Sequence, residues 1–149
     1  MDTSTAAWMT RAYGRGLTEN EGFEKELRDL GVRVLTIEDE EYPERLKGDG
    51  APLVLQVAGR TTLLHDEGVT VFARYRGEEG ARLMDTLDGG GRAILVLSKG
   101  MLKAGSLLKG LAEPIADGSI TLISAEPPRA SWGPVRDKRR DALRDALTR

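Results

Sequence analysis

Apolar positions along the chain follow two spacings, and the changes between them predict the order of helices and strands. Apolar residues recur at helical spacing in four segments, whereas short, nearly continuous apolar runs predict five strands. The predicted helices span residues 18–30, 78–88, 106–116 and 135–147. The predicted strands span residues 32–37, 53–59, 69–75, 92–98 and 119–124. Pro114 falls inside the third of these helices and should kink or shorten it.

The order of these elements predicts the fold class. From Val69 onward, strand and helix alternate three times, which is typical of right-handed βαβ crossovers around a parallel sheet. The run at residues 92–98 does not alternate in polarity, which indicates a strand buried on both faces. We therefore predict an α/β fold, a Rossmann-like three-layer domain with a reduced, mostly parallel sheet and an N-terminal helical extension.

The chain of 149 residues is long enough for one domain with its own core. Residues 1–17 mix small, polar and glycine residues, and we predict that they form a flexible N-terminal arm. Residues 18–149 then form the single Rossmann-type domain, with a leading part at 18–60 and a core at 61–149. Thr18 and Glu21 have the spacing of a capping box at the start of the first helix, and Gly31 is the expected stop.

Composition restricts the class of protein. The chain is 40% apolar and 31% charged, which is typical of a globular protein. We find no apolar run of the roughly 18 residues that a membrane span needs, no secretory signal pattern, and no cysteine. These features predict a cytoplasmic location without a membrane partner, and they exclude disulfides and thiolate metal sites.

Little in the sequence indicates catalysis. His65 is the single histidine, no partner for it can be identified, and a surface role is the simplest interpretation. The acidic run at residues 38–41 lies in a predicted loop, and we interpret it as exposed to solvent. No nucleophile elbow or metal-binding pattern is present. We therefore predict a protein that is not an enzyme and that uses no cofactor or metal.

Charge is distributed unevenly along the chain. The net charge is −2, yet residues 129–149 carry seven bases and three acids, whereas residues 19–44 carry ten acids and three bases. This polarity permits an anionic partner at one end of the molecule, although two solvated helix faces would produce the same pattern.

Two predicted strand ends carry groups that suit a nucleic acid. Arg74 and Arg76 flank Tyr75 after the third predicted strand, and Lys99 follows the fourth. Because ligands of such folds bind at the carboxyl ends of parallel strands, these cations and the aromatic ring could hold phosphates and stack a base. Residues 78–79 are both glutamates, which repel phosphate and argue against a mononucleotide site in that loop.

Two stretches resemble the DprA/Smf family of DNA-processing proteins. The first, VRVLTIEDEEYPERLKGDGAPLVLQVAG, carries an acidic turn, a Tyr-Pro pair and a proline before an apolar strand that ends in glycine. Its matching positions are Tyr42, Pro43, Leu46, Pro52 and Gly59. The second stretch runs from the glycine-rich helix end to a proline pair. Its matching positions are Gly90, Gly91, Gly100, Leu102, Ser124, Glu126, Pro127 and Pro128. Together the stretches cover roughly half of the chain.

The chain also departs from that family. Residues 73–76 read Ala-Arg-Tyr-Arg where the family has a Gly-Ser-Arg-like motif, and a Ser-Gly-x-Ala-x-Gly-Ile-Asp segment has no counterpart here. Asp141 stands where the family's Arg-Asn-Arg-type motif has asparagine. The chain therefore resembles a short or eroded member.

The resemblance implies a non-catalytic protein that binds single-stranded DNA through a basic patch during recombination or DNA uptake. It also implies a RecA-type recombinase as a partner and a homodimer. The candidate DNA-binding residues are Arg74, Tyr75, Arg76, Lys99, Lys103, Trp132, Arg136, Lys138, Arg139 and Arg140. One alternative is a protein-interaction or assembly module that has lost the DNA pocket, and a third, weaker one is a nucleotide-binding domain.

Overall fold

The computed structural model describes residues 2–148, in which five strands form one sheet between two layers of helices and turns. The strands are β1 (Val32–Thr36), β2 (Val54–Ala58), β3 (Thr70–Phe72), β4 (Ala93–Leu97) and β5 (Ile120–Ser124). The helices are α1 (Thr5–Tyr13), α2 (Leu17–Asp29), α3 (Gly77–Asp88), α4 (Gly105–Gly110), α5 (Ala112–Asp117) and α6 (Pro134–Leu147). Short 3₁₀ turns occupy Glu44–Leu46, Thr61–His65 and Met101–Lys103.

The sheet has the strand order β1-β2-β5-β4-β3. β3, β4 and β5 pair in parallel, and β2 runs antiparallel to both of its neighbours, β1 and β5. Four of the five strands therefore point in the same direction, with β2 the exception. The predicted α/β class with a reduced, mostly parallel sheet is confirmed.

Each face of the sheet has its own apolar core. Alternate residues of β4 and β5, such as Leu95 and Leu122, pack beneath α1 to α5. The residues between them, such as Val96 and Ile123, pack against α6 and the turns that follow β1 and β2. Every residue of β4 is buried, as the unbroken apolar run predicts.

The N-terminal segment differs from the predicted flexible arm. Ser4 caps a helix at Thr5–Tyr13, since its hydroxyl accepts a hydrogen bond from the Ala7 N–H at 3.2 Å, and Met9 is buried. Asn20 then joins α1 to α2, because its Nδ2 donates to Thr10 Oγ1 at 3.1 Å. The prediction of a loose arm is wrong because small residues, taken for signs of flexibility, allow this helix to pack closely. The predicted capping box is also not formed, since α2 begins one residue earlier without a side-chain cap.

Pro114 interrupts the helix predicted at residues 106–116. The segment forms two short helices, α4 and α5, which meet at Leu111. Proline has no N–H to donate to the carbonyl four residues earlier, so a continuous helix would leave that carbonyl unpaired. The predicted kink is therefore confirmed.

Gln56 is fully buried in the middle of β2 and joins three separate segments. Its Nε2 donates to the Tyr13 hydroxyl at 3.0 Å and to the Glu126 carbonyl at 2.5 Å. Its Oε1 accepts from the Met101 N–H at 2.8 Å. The amide is thus paired on both sides, and it fixes α1, the segment after β5 and the turn after β4 relative to one another.

Gly100 brings the turn after β4 against the proline pair. Its N–H donates to the Ala130 carbonyl at 2.9 Å. A Cβ atom at this position would lie 2.0 Å from the Pro127 carbonyl oxygen and 2.2 Å from that of Pro128. Because these atoms belong to the backbone and cannot move aside easily, the turn can approach the proline pair only if position 100 carries no side chain.

We predict that Gly100→Ala destabilises the protein by about 3 kcal/mol, because the new methyl group collides with two backbone carbonyls. The matched control is Gly22→Ala within α2, where nothing lies within 4 Å of the added methyl group. The control should stabilise the protein by about 0.5–1 kcal/mol. Urea denaturation measures both, and a Gly100→Ala protein as stable as the wild type would contradict this packing.

Glu41 connects β1 to the turn that follows β2. Arg33 binds its carboxylate at both oxygens, with nitrogen–oxygen distances of 2.8 and 2.7 Å, and the Thr61 hydroxyl donates to it at 2.6 Å. These hydrogen bonds, that from Arg33 foremost, lower the pKa of Glu41 to about 2. The ionised form of Glu41 therefore favours the folded state.

We predict that the stability difference between wild type and Glu41→Gln depends on pH. A lowered pKa in the folded state contributes stability above the normal glutamate value and loses it as pH falls towards about 2. The advantage of the wild type should thus be full near neutral pH and shrink steadily below the normal glutamate pKa. Thermal denaturation across this pH range measures it. Glu40→Gln, at an exposed neighbouring position, serves as the control and should show no such trend.

Candidate functional site

A cleft of about 660 Å³ opens at the carboxyl ends of β3 and β4, beside the first turns of α6. Four basic side chains, one acidic side chain, one hydroxyl group and two aromatic rings line it. These residues are Arg74, Arg76, Lys99, Arg140, Asp137, Ser98, Tyr75 and Trp132. The lining therefore carries an excess of positive charge on a chain whose net charge is −2.

Tyr75 lies between two of the cations. Its hydroxyl accepts a hydrogen bond from Lys99 Nζ at 3.2 Å, and the guanidinium of Arg76 lies 5.4 Å from the ring centroid. The loop that carries Tyr75 packs tightly on α3, because a Cβ atom at Gly80 would lie 2.5 Å from the Tyr75 carbonyl. The ring and Arg76 therefore lie on a closely packed loop, and Lys99 reaches the ring from the turn after β4.

Glu79 occupies the backbone donors of that loop. Its Oε2 accepts from the N–H groups of Ala73 at 2.5 Å and Arg74 at 2.6 Å. The Arg74 guanidinium lies 4.0 Å from its other oxygen. Backbone N–H groups after the first strand of such a unit suit a phosphate, and here a carboxylate of the chain itself fills them. This contact gives the physical reason why the two glutamates argue against phosphate in this loop.

Arg140 lies at the base of the cleft and is only 7% exposed. Its Nη1 donates to Ser98 Oγ at 3.3 Å and lies 3.1 Å from Asp137, while its Nε donates to Asp141 at 3.1 Å. Its Nη2 is buried and has no hydrogen-bond partner among residues 2–148. Two of the three guanidinium nitrogens are thus held by the protein, and the third is left unpaired.

Glu126 binds two other arginines of α6. This carboxylate is 3% exposed and accepts two hydrogen bonds from Arg139, that from Nε being 3.0 Å long. Arg136 Nε lies 3.3 Å from the same carboxylate. The hydrogen bonds that Arg139 donates to Glu126 raise the pKa of the Arg139 guanidinium. Both arginines therefore neutralise an internal charge.

The structure brings together six of the ten residues predicted to bind DNA. The six that line the cleft are Arg74, Tyr75, Arg76, Lys99, Trp132 and Arg140. The other four do not line it. Arg136 and Arg139 bind Glu126, Lys103 lies on the turn after β4, and Lys138 is exposed on α6. The basic residues of α6 thus have different surroundings: Arg140 lines the cleft, whereas Arg136 and Arg139 bind Glu126. The sequence pattern alone does not distinguish them.

Two residues that organise this region were not among the predicted site residues. Gln56 is the one polar residue inside the apolar run of β2, and Glu126 follows the apolar run of β5 almost directly. A polar residue next to a buried strand is a signal of a buried hydrogen-bond network, because burial without partners is costly. Both positions carried this signal.

Comparison with known proteins identifies the fold. No family model matches the sequence, and neither does any curated protein. The X-ray structure of DNA processing protein A (DprA) from Streptococcus pneumoniae matches with a TM-score of 0.68 over 98% of this chain, at 18% identity. The chain therefore has a DprA-like fold and spans 60% of that structure's chain. The resemblance noted from the sequence is confirmed at the level of the fold. Within residues 2–148, the helices are too short or too polar to cross a bilayer.

We predict that replacing both Arg136 and Arg139 by methionine destabilises the protein by about 3 kcal/mol or more, because the buried Glu126 carboxylate loses its cations. Adding Glu126→Gln to that double variant should restore part of the loss, since it removes the unpaired charge. Arg144→Met is the control. Arg144 binds only exposed or half-exposed acids, so its removal should change stability by about 0.5 kcal/mol or less. Denaturant titrations measure all three proteins.

Proposed function

We propose that this protein is a non-catalytic nucleic-acid-binding protein that holds single-stranded DNA in the cleft at the ends of β3 and β4. The observation that carries the proposal is the convergence of four basic side chains and two aromatic rings on that one cleft. Phosphate contacts supply most of the affinity of such binding, and stacking on aromatic side chains supplies a share for each base.

The accessible cations of the cleft suit a DNA backbone. Arg74 and Arg76 are exposed, and Lys99 is partly exposed, so three cations are within reach of a strand. Asp137 is the one acid in the lining, and ion pairing with Arg140 offsets its charge. These cations therefore give the cleft a net positive charge that attracts an anionic strand.

Trp132 favours a single strand over a duplex. The ring is 65% exposed at the rim of the cleft, and its Nε1 donates to Asp137 at 2.8 Å. That hydrogen bond orients the indole while leaving most of its surface accessible. Stacking on the ring needs an unpaired base, which a single strand offers and a duplex does not.

The DprA-like fold supports DNA as the nucleic acid, because the structure that shares the fold is that of a DNA-processing protein. The proposal includes a role in recombination or DNA uptake in the cytoplasm. It also includes a RecA-type recombinase as a partner and a homodimer. These further points rest on the resemblance in sequence and fold.

The absence of catalysis and of a cofactor is part of the proposal. The cleft is lined mainly by cations and aromatic rings, with a single carboxylate. His65 is not part of it, since its Nε2 lies 2.9 Å from the Glu41 carbonyl on another part of the molecule. Binding accounts for this set of side chains without an acid–base pair.

A second candidate function is an interaction or assembly module. Trp132 and Val135 are each 65% exposed and lie three positions apart at the start of α6. The large apolar residues exposed among residues 2–148 lie outside the strands, so this candidate rests on the start of α6 and not on an apolar edge of the sheet. Light scattering tests it, because a strictly monomeric protein at high concentration would count against self-assembly through this surface.

We predict that the protein binds a fluorescent oligothymidylate more tightly than a duplex of the same length, and that Arg76→Glu with Lys99→Glu weakens binding at least about tenfold. The logarithm of the affinity should fall with the logarithm of salt concentration with a slope of about −2, as expected for three phosphate contacts. Fluorescence anisotropy measures both quantities.

The matched control is Lys25→Glu with Lys109→Glu, which changes the net charge equally at exposed positions of α2 and α4. It should bind DNA nearly as the wild type does. Equal losses in both double variants would mean that net charge, and not the cleft, governs binding. Reversing the charges of Arg139 and Arg140 is a poor test, because these side chains hold Glu126 and the base of the cleft.

A further inference from the structure

We infer that the base of the cleft binds the phosphate monoester of a nucleotide, with Arg140 and Ser98 as its ligands. This inference rests on the proposed function, because it concerns the same cleft, and it names the chemical group that the cleft selects. A phosphate monoester is present both in a free mononucleotide and at the phosphorylated end of a DNA strand. The proposal covers this shared chemistry, and the experiment separates the two sources.

The unpaired nitrogen of Arg140 is the first argument. The side chain is 7% exposed, Asp141 and Asp137 fix its Nε and Nη1, and its Nη2 has no partner among the described residues. A buried donor without a partner is costly, so proteins rarely keep one without a reason. This nitrogen is closed off from solvent, so an anion at the base of the cleft pairs with it only when the side chains around it move apart.

Ser98 adds a second donor at the same point. Its Oγ accepts the hydrogen bond from Arg140 Nη1 at 3.3 Å, which leaves the hydroxyl proton to be donated. Nη2 carries two N–H groups, so the base of the cleft offers three donors in total. A phosphate monoester has three terminal oxygens, whereas a phosphodiester inside a strand has two. The donor set therefore matches the monoester.

The depth of the Arg140 guanidinium in the cleft is the third argument. An internal phosphodiester carries a sugar on both sides, so both flanking sugars would have to enter with it to reach a guanidinium as buried as Arg140. A monoester carries one sugar and can enter with its phosphate first. Exposed Arg74 and Arg76 and partly exposed Lys99 remain for the following phosphates of a strand.

Glu79 explains why the phosphate goes to Arg140 and not to the loop after β3. Its carboxylate already accepts the N–H groups of Ala73 and Arg74 and lies beside the Arg74 guanidinium. A phosphate in that loop would meet this negative charge. Asp137 and Asp141 are the other acids near the site, and each lies 3.1 Å from Arg140, so they hold the guanidinium in place. Asp137 Oδ1 has no hydrogen-bond partner among the described residues, so a phosphate bound here also lies near that negative charge.

The test compares short oligothymidylates with a 5′-phosphate, a 3′-phosphate or hydroxyl groups at both ends, with thymidine monophosphate and thymidine as competitors. We expect one of the two phosphorylated strands to bind at least about tenfold more tightly than the hydroxyl-ended strand. This gain is typical of an added charge-assisted hydrogen bond. Thymidine monophosphate should displace it and thymidine should not. Anisotropy measures the affinities.

Two variants attribute the preference to the site. Ser98→Ala and Arg140→Lys should each reduce the ratio between phosphorylated and hydroxyl-ended strands, whereas Lys25→Gln should leave it unchanged. Arg140 is buried, so if Arg140→Lys fails to fold, the small change at Ser98 carries the attribution. A folded Ser98→Ala protein that retains the full ratio would contradict the assignment of these ligands.

The outcomes separate this inference from the proposed function. Equal affinity for all three strands, without competition by thymidine monophosphate, overturns the inference and leaves single-strand binding intact. Binding of thymidine monophosphate without binding of any strand supports the monoester site and overturns the proposed function. Absence of binding to every probe overturns both.

Discussion

The burial of one carboxylate, that of Glu126, fixes the first turns of α6 and thereby one wall of the cleft. A buried carboxylate is tolerated only when cations and donors surround it, and Arg136 and Arg139 of α6 supply them. Because the two arginines are three positions apart, they share one side of the helix. Arg140 lies about 100° around the axis from Arg139 and about 40° from Arg136, on the far side of Arg136, so the same docking directs it to the end of β4.

The loops at this edge of the sheet pack on one another through backbone contacts, and that packing holds the cleft in shape. Gly100 lets the turn after β4 touch the proline pair, and Gly80 lets α3 touch the loop that carries Tyr75. Gln56 joins the turn after β4 to Glu126 from the centre of the sheet. The loop side chains that line the cleft therefore lie on closely packed segments, and such packing lowers the entropic cost of ordering side chains around any ligand.

Sequence patterns predicted the sheet and its helices well because strand and helix periodicity is a local property. The positions of β4, β5 and α6 follow from apolar runs and helical spacing alone. The flexible arm was wrong for the opposite reason, because α1 is stabilised by contacts with distant segments, including the Tyr13 hydroxyl with Gln56. The site was predicted in part. The sequence of a basic helix does not reveal which of its arginines pairs with a buried acid. That acid, Glu126, lies outside the helix in the sequence, so no local pattern connects the two.

Asp137 and Asp141, the acids among the basic residues of α6, have a role that a count of charges does not show. Asp137 and Asp141 bind Arg140 at Nη1 and Nε, so they reduce the net charge of the region while fixing the one guanidinium at the base of the cleft. Long, exposed arginines would contribute more charge but would lose more conformational entropy on binding. A chain with a net charge of −2 can therefore bind an anion at one place, provided that the cations at that place are held in fixed positions by neighbouring acids.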